Sequence, residues 1–198
     1  QYYYTVASLP WLDPDGGAPI TDTEFLQRCG VECVLEDYLD IADASMIPPD
    51  EEMYTESMEE TGRAINPFLK DWFEWNRSLL SELSALRAKK LGVDTDKYRR
   101  PGDPRLSAVQ AALSAFQQES PLTAEMVIHR ARWELLDEHE SGHYFDVVTL
   151  IIYRLKLLLL ERRARLVPER GKQCFEETMS SLKNELEGAV KSDDKNAR

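Results

Sequence analysis

Hydrophobic positions in this chain recur mostly at intervals of three and four, the spacing of one face of an α-helix. The longest such run takes in Ile65, Phe68, Leu69, Trp72, Leu79, Leu80, Leu83 and Leu86, with Lys70, Glu74, Arg77, Ser81 and Ser84 on the other side. It predicts a helix over about 66–91, stopped by Gly92. At about 1.5 Å per residue that helix is close to 40 Å long. Thr21-Asp22-Thr23-Glu24 has the form of a capping box and opens an apolar face with Phe25, Leu26 and Cys29. Leu35, Tyr38, Leu39 and Ala42 predict a helix within 34–44, broken by Ile47-Pro48-Pro49. Residues 50–61 are acidic with few apolar anchors and read as a loose helix or a loop. Residues 94–105, with Pro101, Gly102 and Pro104, read as an exposed linker, and 106–118 as a short amphipathic helix. Ser120-Pro121 starts another helix carrying Met126, Val127, Ala131, Trp133, Leu135 and Leu136. Asp146 can cap the next, whose apolar side chains wrap nearly all round, the pattern of a central helix.

Tyr2–Ala7 has β propensity, but one strand without a neighbour has no hydrogen-bond partners, so a helical or extended start packed on the bundle is expected. The expected fold class is all-α: a helical bundle with one long helix at about 66–91 and a central apolar helix at about 146–165. The expected organisation is a single helical domain over 1–165, with an acidic N-terminal part at 1–62 and a helical core at 63–165. A polar C-terminal helix, starting near Gly171, and a frayed tail then occupy 166–198.

Charge adds an asymmetry. The chain has 36 acidic and 24 basic residues, a net charge of −12. Residues 1–62 hold 15 acids and one base, Arg28, and no Lys or Arg occurs from Cys29 to Gly62. The balance disfavours nucleic-acid binding through general phosphate attraction. It suits an acidic surface that avoids anionic lipid and a basic one that meets an acidic protein partner. The candidate interaction residues are Arg77, Arg87, Lys89 and Lys90 on the long helix, and Arg154, Arg162, Arg163 and Arg165 on and after the central one. Val147–Leu160 is the most apolar stretch, but Thr149, Arg154 and Lys156 interrupt it, so it reads as a buried helix rather than a bilayer span. No signal-peptide pattern opens the sequence.

The sharpest chemical motif is His139-Glu140-Ser141-Gly142-His143, an H-E-x-x-H match. On a continuous helix the two imidazoles would share a face and could bind Zn²⁺, with Glu140 activating a metal-bound water and Glu161 as third ligand. Gly142 stands where the helix should stop, however, and the position six residues after His143 is Thr149 rather than a third His. The preferred reading is a polar helix terminus with no catalytic, metal or cofactor site. His139, His143, Glu161 and Glu140 are kept as the alternative zinc-peptidase set. Cys29 and Cys33 have C-x3-C spacing with no second pair and read as two small apolar residues on one helix face. With Cys174 they make three cysteines, a sparse count that suits a reducing compartment. No phosphate loop, dinucleotide fingerprint or nucleophile elbow is present.

Two stretches carry a family resemblance. Tyr2-Tyr3-Tyr4-Thr5-Val6-Ala7-Ser8-Leu9-Pro10, and Trp133–Asp137 followed by Gly142-His143-Tyr144-Phe145-Asp146, resemble a bacterial domain-of-unknown-function family encoded in V-type ATPase operons. The resemblance runs on through Leu150, Tyr153, Lys156-Leu157 and Leu160-Glu161-Arg162. Asn76–Gly92 is similar to a segment of the C-type (in eukaryotes, d-type) subunit of V-type ATPases, an all-helical cap between central stalk and membrane rotor ring, though that cap protein is much longer. The resemblance implies a non-catalytic structural or assembly component of a bacterial V-type rotary ATPase. Its partners would be other ATPase subunits, with no nucleic acid and no small-molecule substrate. Its place would be cytoplasmic, peripheral at the inner face of the cell membrane. A generic helical protein-interaction module remains the further alternative.

Overall fold

The computed structural model describes residues 2–49, 62–64, 66–99, 104–166 and 176–180. The acidic stretch 50–61, the Pro-Gly part of the linker, the start of the expected last helix at Gly171 and the tail after residue 180 lie outside the described residues. The chain divides into two units, Gln1–Glu161 and Arg162–Arg198. The fold below is that of the first.

Every regular element among the described residues is helical. Those up to residue 166 are, in order, α1 (Tyr3–Ser8), α2 (Asp22–Glu32), α3 (Leu35–Asp43), α4 (Pro67–Leu91), a 3-10 turn (Asp96–Tyr98), α5 (Leu106–Phe116), α6 (Pro121–Glu140) and α7 (Val147–Arg165). The expected all-α bundle is therefore the observed class, with α4 as the long helix and α7 as the apolar one.

Local chemistry sets most helix ends. Thr21 Oγ1 accepts the Glu24 N–H at 3.1 Å, so half of the capping box forms. The Glu24 carboxylate does not reach back; it takes Arg28 at 2.7 Å, one turn on. Asn66 Oδ1 caps α4 by accepting the Phe68 N–H, with Pro67 at the first helical position. Gly92 ends that helix at φ +70°, a left-handed conformation that lets Val93 donate to the Ala88 carbonyl. Ser120 caps α6 through the Leu122 N–H.

Two packed clusters share α4 and α6 as a common wall. One gathers Tyr2, Leu12, Phe25, Ile41, Leu69, Trp72, Phe73, Trp133 and Leu136 around the α7 residues Leu150, Ile151, Leu155, Leu157 and Leu160. The other joins Trp75, Leu79 and Leu83 of α4 to Ile128 of α6 and to an all-alanine face of α5, Ala108, Ala111, Ala112 and Ala115. Those alanines recur at helical spacing, and their small size lets α5 lie close against both neighbours. Trp72, Trp75 and Trp133 are all buried. The Trp72 indole N–H donates to the Ser45 carbonyl, and that of Trp75 to Ser107 Oγ.

Candidate functional site

The H-E-x-x-H residues lie where α6 gives way to α7. The last helical residue of α6 is Glu140, and Gly142 turns the chain at φ +95°, outside the range an L side chain adopts easily. A continuous helix through all five motif positions is thus not formed. Asp146 caps α7, its Oδ1 accepting both the backbone N–H and the hydroxyl of Thr149 at 3.0 and 3.1 Å.

Each residue of the alternative zinc set is engaged elsewhere. His139 turns Nδ1 to the Leu135 carbonyl (2.9 Å) and Nε2 to Asp71 Oδ2 on α4 (3.1 Å), so both ring nitrogens face oxygens. His143 Nδ1 meets Asp146 Oδ2 at 2.5 Å. The Glu140 carboxylate takes the Lys156 ammonium of α7 at 2.5 Å. Glu161 Oε1 accepts the Asp22 N–H at 2.8 Å, at the positive N-terminal end of α2. Among the described residues, no three His, Cys, Asp or Glu side chains converge as a metal-binding group. Burial opposes ionisation of Asp146, but His143 and the two donors of Thr149 outweigh it and hold the carboxyl below its usual range.

The same end of the bundle is laced by charged side chains. Lys156 bridges Asp137 at 2.7 Å and Glu140, its ammonium over the Trp133 ring at 5.5 Å. Asp71 also takes Arg105 at 2.7 Å, and Arg105 continues to Glu74 at 2.6 Å, pinning the end of the linker to α4. In α6, Arg132 donates to the fully buried Asn76 at 2.8 Å, whose amide in turn donates to the Trp72 carbonyl.

Arg154 corrects the sequence expectation most sharply. Read as an interaction-surface residue, it is buried, 9% exposed, in the middle of α7. Its Nε and Nη2 clamp the Asp22 carboxylate at 2.8 and 3.0 Å. Its Nη1 reaches the carbonyls of Ile41, Ala42 and Ala44 at 2.8, 2.7 and 2.8 Å. One guanidinium therefore ties the start of α2 and the end of α3 to α7, donating to the last carbonyls of α3, of which that of Ile41 also accepts the Ala44 N–H at 3.3 Å. An arginine inside an all-round apolar run was a signal for such a role, because a charge there must be paired.

The other candidate surface residues divide. Arg77 is half-buried, with Nη2 3.4 Å from the Pro49 carbonyl. Arg87, Lys89 and Lys90 lie near the end of α4, where cations complement the helix dipole; all three are exposed, and Lys90 sits 5.7 Å from the Phe116 ring centroid. Arg162 and Arg165 are exposed and Arg163 is half-buried, all in the second unit. Cys29 is buried within α2, whereas Cys33, expected on the same helix face, lies just past the helix end in extended backbone and is half-buried; both are free thiols. Burial, and then the neighbouring Cys33, push the Cys29 thiol up to about 12.

Sequence reasoning also missed an exposed aromatic group. Tyr3, Tyr4, Tyr144 and Phe145 all face outward, while Tyr2 beside them is buried.

A family model described as a protein of unknown function (DUF2764) matches residues 103–186, a stretch that takes in α5, α6 and the Gly142–Asp146 turn. No curated protein and no solved structure matches the chain. No helix among the described residues is long and apolar enough to cross a membrane.

Proposed function

We propose that this chain is a non-catalytic structural or assembly component of a bacterial V-type rotary ATPase, acting where the central stalk meets the membrane rotor ring. One observation carries the non-catalytic part. The residues with the best chemistry, His139, Glu140, His143, Arg154, Lys156 and Glu161, are engaged in contacts that cap helices or tie them together. Side chains spent in this way stiffen a bundle. Stiffness is what a part that transmits torque or holds an assembly in register requires. The buried Trp72, Trp75 and Trp133 contribute to it. The ATPase part rests on the resemblance of residues 2–10 and 133–146 to the operon-linked family and of 76–92 to the helical stalk cap of V-type ATPases.

The test is affinity isolation of the tagged full chain at native expression level from a detergent extract of its own cells, with mass spectrometry of the co-purified proteins. Recovery of V-type ATPase subunits in defined ratio is the expected result. Recovery of none of them, from cells in which the ATPase itself is intact, overturns the assignment.

A further inference from the structure

Tyr2 joins three surface segments at one end of the first unit. Its backbone N–H donates to the Phe145 carbonyl at 2.8 Å, and its hydroxyl donates to the Asp37 carboxylate. The turn before α7, the start of α1 and the first turn of α3 therefore meet around one buried ring. What they present outward is largely apolar. Tyr4 is 84% exposed and Leu35 71%; Tyr3, Val34 and Phe145 are exposed as well. The Tyr3 ring lies 4.8 Å from that of Phe145 and 5.6 Å, edge-on, from that of Tyr4. Single exposed apolar side chains are normal on a protein, whereas a grouped set around one anchor marks a binding surface.

Among the described residues of the α2–α3 corner, the exposed charge beside this group is acidic. Glu32 and Glu36 are exposed around the α2–α3 corner, and Asp37 lies beneath Tyr2. No Lys or Arg occurs from Cys29 to Gly62, and residues 2–12 carry no charged side chain. Arg28, one turn before Glu32, is held by Glu24 at 2.7 Å. On the α6–α7 side, His143 faces Asp146 and Lys156 is buried between Asp137 and Glu140. An aromatic and aliphatic centre with an acidic border complements a helix that carries apolar residues on one face and Lys or Arg beside them. The same acidic border disfavours an anionic membrane surface.

We infer that this end of the bundle, formed by Tyr3, Tyr4, Val34, Leu35 and Phe145 with Glu32 and Glu36 beside them, docks a basic amphipathic helix of another protein. The inference deepens the reading of the chain as an assembly component and rests on it, while leaving open which assembly supplies the helix.

The experiment places a photo-cross-linking p-benzoylphenylalanine at position 4 or 35 of the full chain in its native cells. A third variant carries it at position 110, on Gln110 of α5, as reference. Cross-linked peptides are sequenced after irradiation. The inference predicts that the probes at 4 and 35 capture one segment with apolar residues at helical spacing and Lys or Arg between them, and that the probe at 110 does not. A synthetic peptide of that segment, titrated against the full chain, should lose at least about tenfold in affinity with Glu32→Lys/Glu36→Lys at low ionic strength, and the gap should narrow in salt. Far-UV circular dichroism of the variant confirms its fold.

Capture of an acidic or uncharged segment, of lipid, or of a second copy through its own Lys89-Lys90-Leu91 end overturns the inference. So does an absence of adducts, or an affinity unmoved by the charge reversal. If the captured basic helix belongs to a protein outside the ATPase, the docking surface stands and the ATPase assignment falls. If ATPase subunits co-purify but cross-link only at position 110, the assignment stands and the docking surface falls.

Discussion

Replacing Arg154 with methionine keeps most of the buried aliphatic stem and removes the guanidinium. Asp22, whose side chain is 22% exposed, then loses both charge-assisted donors. The carbonyls of Ile41, Ala42 and Ala44 at the end of α3 lose their common donor. Removing one partner of a buried ion pair costs about 3–5 kcal/mol, because the other charge stays behind. Water can reach Asp22 in part, which puts the expected loss near the lower end, about 3 kcal/mol. For a chain of this size each kcal/mol lowers the midpoint by about 2–4 °C, so Arg154→Met should melt about 10 °C early. Arg154→Lys should recover only a fraction, since an ammonium cannot reproduce the planar fork that serves Asp22 and α3 together. The assay is urea unfolding followed by circular dichroism at 222 nm, with Arg28→Met as the exposed-pair control. That control breaks an i,i+4 pair on the surface and should cost less than about 0.5 kcal/mol. The Arg154→Met/Asp22→Asn double variant should lose less than the sum of the singles by at least about 1 kcal/mol. A loss for Arg154→Met no larger than for Arg28→Met would refute the reasoning.

Three further expectations follow from the same structure. Burial, and for Tyr2 the hydrogen bond to Asp37, push the Tyr2 and Tyr153 hydroxyls up to about 12; the folded state therefore holds these protons longer than the unfolded one. The stability they contribute is fully present below about pH 10 and is lost as pH rises toward 12, which absorbance at 295 nm and unfolding midpoints should both record. The Cys29 thiol, buried and raised to about 12, should resist iodoacetamide at pH 8 in the native protein while the half-buried Cys33 reacts faster, and peptide mapping separates the two. At Gly142 a Cβ meets nothing within 4 Å, so Gly142→Ala should cost only the backbone strain of φ +95°, about 1–3 kcal/mol by denaturant unfolding.

How much of this was legible in the sequence depended on the reach of each interaction. Thr21, Asn66, Gly92, Ser120-Pro121 and Asp146 act within a turn of their own position, so the helix ends could be read directly. The halt of α6 before His143 was also legible, because Gly142 carries it locally. Arg154 was not. Its partners Asp22, Ile41, Ala42 and Ala44 lie more than a hundred residues away, and the sequence shows only a base in an apolar run. The engagements of His139 with Asp71 and of Glu161 with Asp22 are long-range in the same way. Three successive tyrosines look alike in a pattern. Only docking of α1 decides that Tyr2 goes inside while Tyr3 and Tyr4 stay out. The alanine face of α5 gave periodicity but no sign that it builds a second cluster apart from the one around α7.

The central claim, assembly without catalysis, is tested most directly by the amount of assembled V-type ATPase on native gels from cells depleted of this chain and resupplied with either wild type or Glu140→Gln. The substitution removes the general base of the peptidase alternative and keeps an oxygen for Lys156 to contact. The account predicts that depletion lowers the assembled complex and that both versions restore it alike. An unchanged level on depletion, or a folded Glu140→Gln protein that fails to restore it, would contradict the account.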